Sequence, residues 1–220
     1  MPTDAEPGPP PQARIYEQLA GVGHALSNSH RLKMLNLLAH GEKTVGQLAE
    51  ATGQTTAAAS ANIRLLRNAN LVAARKQGRT VHCRLTDDRV GELWLRLRDL
   101  GEVVLPEVRE TMREEFDDAS PISERELFAE IEGGGVTLLD LRPEEEYAAG
   151  HLPSARSVPF DVLGEAEPDL PRQGPLYVYC RGPFCARAVA GHRLLRKATR
   201  ASQRLRFSVP EWRAAGLPVE

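Results

Sequence analysis

Residues 177–196 read YVYCRGPFCARAVAGHRLLR, and this stretch decides the fold of the second half of the chain. Tyr177, Val178 and Tyr179 are aromatic or β-branched, as a buried strand requires. Gly182 and Pro183 break the chain shortly after Cys180. From Ala186 onward, Val189, Leu194 and Leu195 fall on one helical face. The stretch is therefore a strand, a tight loop opening on a cysteine, and a helix. A cysteine at that junction faces unpaired backbone N–H groups, which together with the helix dipole stabilise an anion and lower a thiol pKa. Cys180 is thus a candidate nucleophile, with a buried core cysteine as the alternative.

Outward from this stretch, strands and helices alternate. Residues 136–141 (VTLLDL) form a buried strand. A helix precedes it, opened by a capping box between Ser123 and Glu126 and broken at residues 133–135. Pro143 starts a short helix over EEEYAAG, and HLPSARSVPF carries another strand. This alternation implies a parallel sheet with helices on both faces. Ligands of such sheets bind at the carboxyl ends of strands, where Cys180 lies. After Lys197 the chain reads ATRASQRLRFSV, Arg-rich and without an apolar run. The last strand is expected to be weak and confined to residues 205–209.

The first half has a different rhythm. Residues 1–11, with their PGPPP run, are expected to be disordered. Ile15, Leu19, Val22 and Leu26 share a helical face. Ser29 is placed to cap a second helix, which Gly41 ends. Thr44 caps a third over residues 45–51, and Thr55 or Thr56 opens a fourth reaching Asn68. Two short helices around a Gly-containing turn form a helix-turn-helix pattern. Residues 71–75 and 80–85 alternate as strands of a hairpin closing at Gln77–Gly78. Its tip carries Arg75, Lys76 and Arg79, cations suited to phosphate contacts. A long fifth helix follows through Val90, Leu93, Leu97, Leu100, Val104 and Val108, with a kink expected at Pro106. Its apolar stripe needs cover, either from a two-fold copy of itself or from the second half of the chain.

The formal net charge of −2 conceals an uneven distribution. Residues 1–80 carry nine Lys/Arg against five Asp/Glu, and residues 81–120 six against eleven. A basic unit followed by an acidic helix is the result. Three cysteines, an odd number without framework spacing, point to a reducing compartment, so a cytoplasmic location is expected. There is no signal peptide and no apolar run long enough to span a bilayer, so no membrane partner is expected.

The segments SNSHRLKMLNLLAHGEKTVGQLAEATG and ANIRLLRNANLVAARKQGRTVHCRL resemble the winged helix-turn-helix regulators of the arsenical-resistance repressor (ArsR) type, over about residues 12–116. The resemblance implies a homodimer on a double-stranded DNA operator, with residues 55–68 as the recognition helix in a major groove. Gln54, Thr55, Thr56, Ser60 and Asn62 would face base edges or phosphates, and Arg64 the backbone. Asn70 stands where the family usually has Gly, and Asn tolerates the left-handed conformation needed there. Many relatives of this type sense metals. Here the third helix holds no Cys and the fifth neither His nor Cys, so no metal is expected. Cys83 is expected to pack as a small apolar group.

The segments LLDLRPEEEYAAGHLPSARSVPF, YVYCRGPFCARA and PEWRAAGLP together resemble the rhodanese domain, over about residues 122–220 after a link at residues 117–121. The resemblance implies that Cys180 accepts sulfur from a donor such as thiosulfate or a persulfide and passes it to a thiol, without metal or organic cofactor. The loop of Arg181, Gly182, Pro183, Phe184, Cys185, Ala186 and Arg187 would wrap its N–H groups around the persulfide. Arg181 and Arg187 would hold an anionic donor. Cys185 is a candidate resolving thiol for a disulfide with Cys180. Asp140 and Arg142 read as a structural ion pair.

The chain is therefore expected to have two domains, a mainly α winged helix-turn-helix and then an α/β rhodanese-like parallel sheet with helices on both faces. The expected function is a DNA-binding transcriptional regulator, a repressor by expectation, whose second domain senses or handles reactive sulfur through Cys180. Two other readings stay open: a sulfurtransferase enzyme with an accessory DNA-binding domain, and a rhodanese-like interaction module without turnover.

Overall fold

The computed structural model describes residues 10–166, 170, 173–198 and 201–220. It divides into two compact units, one running up to Leu35 and including Glu42–Asp87, the other made of Asn36–Gly41 and Asp88–Glu220.

The first unit contains α1 (Pro11–Leu26), the start of α2 (Ser29–Ala39), β1 (Lys43–Thr44), α3 (Val45–Thr52), α4 (Thr56–Asn68), β2 (Val72–Gln77) and β3 (Thr80–Leu85). The strands form an antiparallel sheet in the order β1-β3-β2. α3 is closed at one end by the Thr44–Gln47 capping box and at the other by Gly53 in the left-handed region. Thr55 caps α4 by accepting from the Ala58 N–H at 3.2 Å. Asn70 adopts φ 56°, the conformation expected of it. Met34, Leu48, Ala59, Ile63, Leu66 and Cys83 are buried in this unit. Burial pushes the Cys83 thiol up to about 11, so it packs as an apolar group, as expected.

Two local expectations are corrected here. α1 begins at Pro11, inside the stretch expected to be disordered, because proline suits the first helical position; residues 1–9 lie outside the described residues. At the start of α2 the Asn28 Oδ1, not Ser29, accepts from the Arg31 N–H at 3.1 Å.

The second unit holds α5 (Asp88–Val104), α6 (Pro106–Phe116), α7 (Glu124–Gly133), β4 (Thr137–Asp140), α8 (Glu144–Ala148), β5 (Arg156–Ser157), α9 (Leu163–Ala166), β6 (Leu176–Tyr179), α10 (Ala186–Lys197), β7 (Ser202–Arg204) and α11 (Val209–Ala214). Pro106 does more than kink the long helix. Lacking an N–H and crowding the preceding turn, it ends α5 through an extended Leu105 and occupies the start of α6.

The sheet is parallel, in the order β5-β4-β6-β7. Alternation along the strands splits the core. Leu138, Tyr177 and Tyr179 join Leu127, Phe207 and Trp212 on one face. Leu139, Leu176, Val178 and Cys180 join Leu163, Ala188 and Leu195 on the other. α10 packs close to the sheet at Gly191, where a Cβ would fall 2.5 Å from Leu141 Cδ1. The last strand also departs from expectation: it is Ser202–Arg204, paired with β6, and not residues 205–209. A strand through arginine is tolerated because Arg204, fully buried, is neutralised by Asp118 and bonded to two backbone carbonyls.

Candidate functional site

Cys180 follows directly on β6, an interior strand flanked by β4 and β7. Its side chain points to the α10 face and is 2% exposed. The loop then turns at Gly182, φ +84°, a conformation glycine accepts without strain. The loop ends on Cys185, which occupies the N-cap position of α10. The helix N-terminus therefore receives the second cysteine and not the first.

The electrostatics follow. The adjacent Cys180 thiol and the backbone N–H groups of Arg181, Ala188 and Arg187 favour the Cys185 thiolate and, against the effect of burial, lower its pKa to about 6. The neighbouring Cys185 and burial together hold the Cys180 thiol well above its ordinary value. This corrects the expectation that the helix terminus lowers the Cys180 pKa directly. Of the two thiols Cys185 is therefore the one that favours the thiolate form, and placing the charge on Cys180 requires transfer of its proton to Cys185.

A pH dependence results. The Cys185 thiolate is present above about pH 6, so its alkylation rate should fall as pH drops through that value. Cys180→Ala removes the S–H donor and should move the midpoint upward, whereas Cys180→Ser keeps a donor and should move it less. Iodoacetamide kinetics between pH 5 and 9, about the range in which thiols titrate, check both.

Arg181 is bonded through Nε and Nη2 to Glu146, at 3.0 and 2.6 Å, and Glu146 is almost fully buried. The cation expected beside an anionic donor is thus engaged by a carboxylate. Arg187 is exposed, 3.6 Å from Asp161. Asp140 and Arg142 form the ion pair read from the sequence. Both are fully buried, Asp140 Oδ1 accepts from the Arg142 N–H and Nε at 2.9 Å, and Arg142 Nη2 also donates to the Gly150 carbonyl at 2.8 Å.

Four supporting residues, Ser208, Glu211, Arg98 and Arg204, escaped the sequence reading. Ser208 Oγ donates to the Cys180 carbonyl. Glu211 accepts from the Ser208 N–H at 3.0 Å and, through its other oxygen, from Arg98. Arg204 donates to the Pro183 carbonyl at 3.4 Å. The Ser208–Glu211 pair is a capping box readable as SVPE. Arg98 and Glu211 lie too far apart in sequence to leave any local signal.

In the first unit, α4 exposes Thr56, Ser60 and Arg64, spaced four apart on one stripe, with Arg67 continuing it. Arg67 was not among the expected DNA contacts. A groove of about 390 Å³ runs beside this stripe, lined by Ala57, Ala61, Ala74 and Val81 among others. Thr55 is exposed but occupied as the cap. Gln54 and Asn62 are half-buried and bonded to each other at 2.8 Å, Gln54 also to Thr52 and Asn62 to Arg31. They stand in an internal network and off the exposed stripe. On the hairpin, Arg75 is paired with Glu42 at 2.7 Å, and Lys76 and Arg79 are exposed.

Fold and site together define a class: a winged helix-turn-helix followed by a rhodanese-like sheet whose loop carries a cysteine pair. Residues 28–74 match the bacterial regulatory protein arsR family, and residues 123–215 match the rhodanese-like domain. The chain is 38% identical over 212 residues to the HTH-type transcriptional regulator Rv0324 of Mycobacterium tuberculosis, covering 95% of this chain and 93% of that one. This chain belongs to that family of HTH-type transcriptional regulators, ArsR-type proteins with a C-terminal rhodanese-like domain. Among solved structures, a winged helix-turn-helix DNA-binding domain from Mycobacterium bovis, described as homodimeric, is 34% identical, with a TM-score of 0.42 over 47% of this chain and 95% of that one. A rhodanese-related protein from Thermoplasma volcanium is 23% identical, with a TM-score of 0.40 over 45% of this chain and 95% of that one. Among the described residues no helix is long and apolar enough to cross a membrane.

Proposed function

We propose that this regulator binds operator DNA as a homodimer and changes its affinity when Cys180 accepts sulfur. The observation that carries the reading is the cysteine pair on the loop after β6, with Cys180 at the strand end and Cys185 at the head of α10. Cys185 takes the Cys180 proton, and the resulting thiolate attacks the outer sulfur of a donor. With thiosulfate, the Cys180 sulfur bonds the sulfane sulfur, the donor S–S bond breaks, and sulfite leaves with the electron pair. Cys180 then carries a persulfide. Cys185 returns the proton to the outer sulfur of the persulfide, and attack by its regenerated thiolate on the Cys180 sulfur then closes a disulfide, breaks the persulfide S–S bond and releases hydrosulfide. A second thiol in place of Cys185 would instead carry the sulfur away.

The dimer is supported by apolar side chains facing solvent. Ile15, Tyr16 and Leu19 on α1 are exposed, as are Leu93, Leu100, Val103 and Val104 on α5. For DNA, Thr56, Ser60 and Arg64 on α4 and Lys76 and Arg79 on the hairpin supply hydroxyls and cations. Arg64→Ala and Arg67→Ala should each weaken binding across all sequences and reduce the salt slope by about 1. Fluorescence anisotropy over a salt series measures this.

The test of the whole reading is to treat the reduced protein with thiosulfate or polysulfide, take an intact mass, and titrate the same samples with DNA. A gain of one sulfur, or a loss of two hydrogens, accompanied by a sequence-dependent change in DNA affinity is the expected result. Sulfur acceptance with unchanged DNA affinity overturns the regulatory link and favours the sulfurtransferase reading. No modification by any donor leaves a rhodanese-like interaction domain.

A further inference from the structure

Cys180 is 2% exposed, so the described conformation offers a sulfur donor no path to its thiol. The loop above it has to move. What holds the loop is therefore what controls the reaction, and every residue of its tip is held by groups fastened to α5, α6 or the segment after them.

Glu211 sits directly on Gly182: a Cβ there would lie 3.0 Å from Glu211 Oε1 and 3.6 Å from Arg98 Nη1. Glu211 in turn is ion-paired to Arg98 of α5, with each side chain about 10% exposed. One turn further along α5, Glu102 pairs with Arg206. The Pro183 carbonyl accepts from Arg204, whose other nitrogens donate to the Phe116 carbonyl at the end of α6 and to Asp118 at 2.7 Å. The Phe184 ring lies 6.4 Å from that of Phe116, tilted by 58°. Below the tip, Ser208 fixes the Cys180 carbonyl and is itself bonded to Glu211.

We propose that α5 and α6 gate the sulfur loop through Arg98–Glu211, Arg204 and Phe116, holding it shut over Cys180 until those helices shift. The proposal deepens the reading of Cys180 as a sulfur acceptor and rests on it. Added sulfur lengthens the side chain by an S–S bond of about 2.05 Å in a closed space, so persulfidation pushes back on the same contacts. Linkage requires the two directions to be equal in free energy. α5 also carries the exposed Leu100, Val103 and Val104. The gate therefore joins the chemical site to the face offered to a second copy.

The experiment measures alkylation of Cys180 by iodoacetamide in the full chain, for wild type, Arg98→Met, Arg98→Lys and Phe116→Ala. Cleavage after Arg181 separates Cys180 and Cys185 onto different peptides, so mass spectrometry reads each thiol by itself. Arg98→Met and Phe116→Ala should each speed Cys180 alkylation roughly tenfold by favouring local opening, and Arg98→Lys, which keeps the charge, should stay closer to wild type. Hydrogen exchange at the Val178 and Tyr179 amides is followed in parallel. Faster alkylation with unchanged exchange supports the gate. Equal alkylation rates in all four proteins overturn it, as does alkylation that rises only together with exchange of the strand. Thiosulfate is tested on the same samples. If it adds no sulfur to any of them, the sulfur-acceptor reading fails, while the alkylation rates still decide the gate.

Discussion

Cys180→Ser should abolish sulfur acceptance, and Cys185→Ser should not. The asymmetry follows from position. Cys180 lies at the end of an interior strand with the Cys185 thiolate beside it as a base, so transfer of the Cys180 proton to Cys185 leaves a nucleophile on the strand end. A serine at 180 keeps a small hydroxyl donor but not the sulfur nucleophile, and intact mass after polysulfide should show no sulfur on residue 180. A serine at 185 leaves the nucleophile and removes the base. Acceptance should slow by about a hundredfold, the low end of what a positioned general base supplies. The persulfide should then persist, because no neighbouring thiol can close the disulfide. If Cys185→Ser abolished the first sulfur transfer and Cys180→Ser spared it, the roles would be reversed and Cys185 would be the acceptor. DNA affinity measured on the same samples should respond to polysulfide in wild type and be indifferent in Cys180→Ser.

How far the sequence carried this site depends on the range of the interactions. The strand, the break at Gly182–Pro183 and the helix from Ala186 are written in neighbouring residues, and the structure places them as read. The same holds for the Ser123–Glu126 capping box and for Thr44 as the cap of α3. What could not be read is which cysteine meets the helix terminus. That depends on how a loop of a few residues folds back, and Cys185 reaches the N-cap because the chain turns at Gly182. β7 was misplaced for a related reason. Arg204 looks hostile to a strand until Asp118 and the Phe116 carbonyl, remote in sequence, are seen to receive it. In the first unit, Thr56, Ser60 and Arg64 of α4, implied by the family resemblance, are exposed on one stripe. The withdrawal of Gln54 and Asn62 into a network with Arg31 could not be read, since side-chain amides find partners only once the helices are packed.

Asp140→Ala should be the most destabilising polar substitution in the second unit, at about 3–5 kcal/mol. The reason is the partner left behind. Arg142 is fully buried, and without Asp140 its charge keeps the Gly150 carbonyl and the Tyr179 ring, 5.6 Å from the guanidinium carbon. Neither neutralises it. Asp140 ends β4 and pairs in register with Tyr179, the residue before Cys180, so the loss falls beside the sulfur loop. Replacing both partners, as Asp140→Leu with Arg142→Met, should cost less than Asp140→Ala alone, because no charge is then buried without a partner. Urea unfolding followed by tryptophan fluorescence is a selective probe, since the chain's two tryptophans, Trp94 and Trp212, both lie in the second unit. Cys83, fully buried in the first unit, provides a separate reading of that unit through its alkylation. The expected pattern is an earlier tryptophan transition in Asp140→Ala with Cys83 protection retained to higher urea. A double variant as unstable as the single one would mean that Asp140 stabilises chiefly through its bond to the Arg142 N–H, and that the buried charge is accommodated by other means.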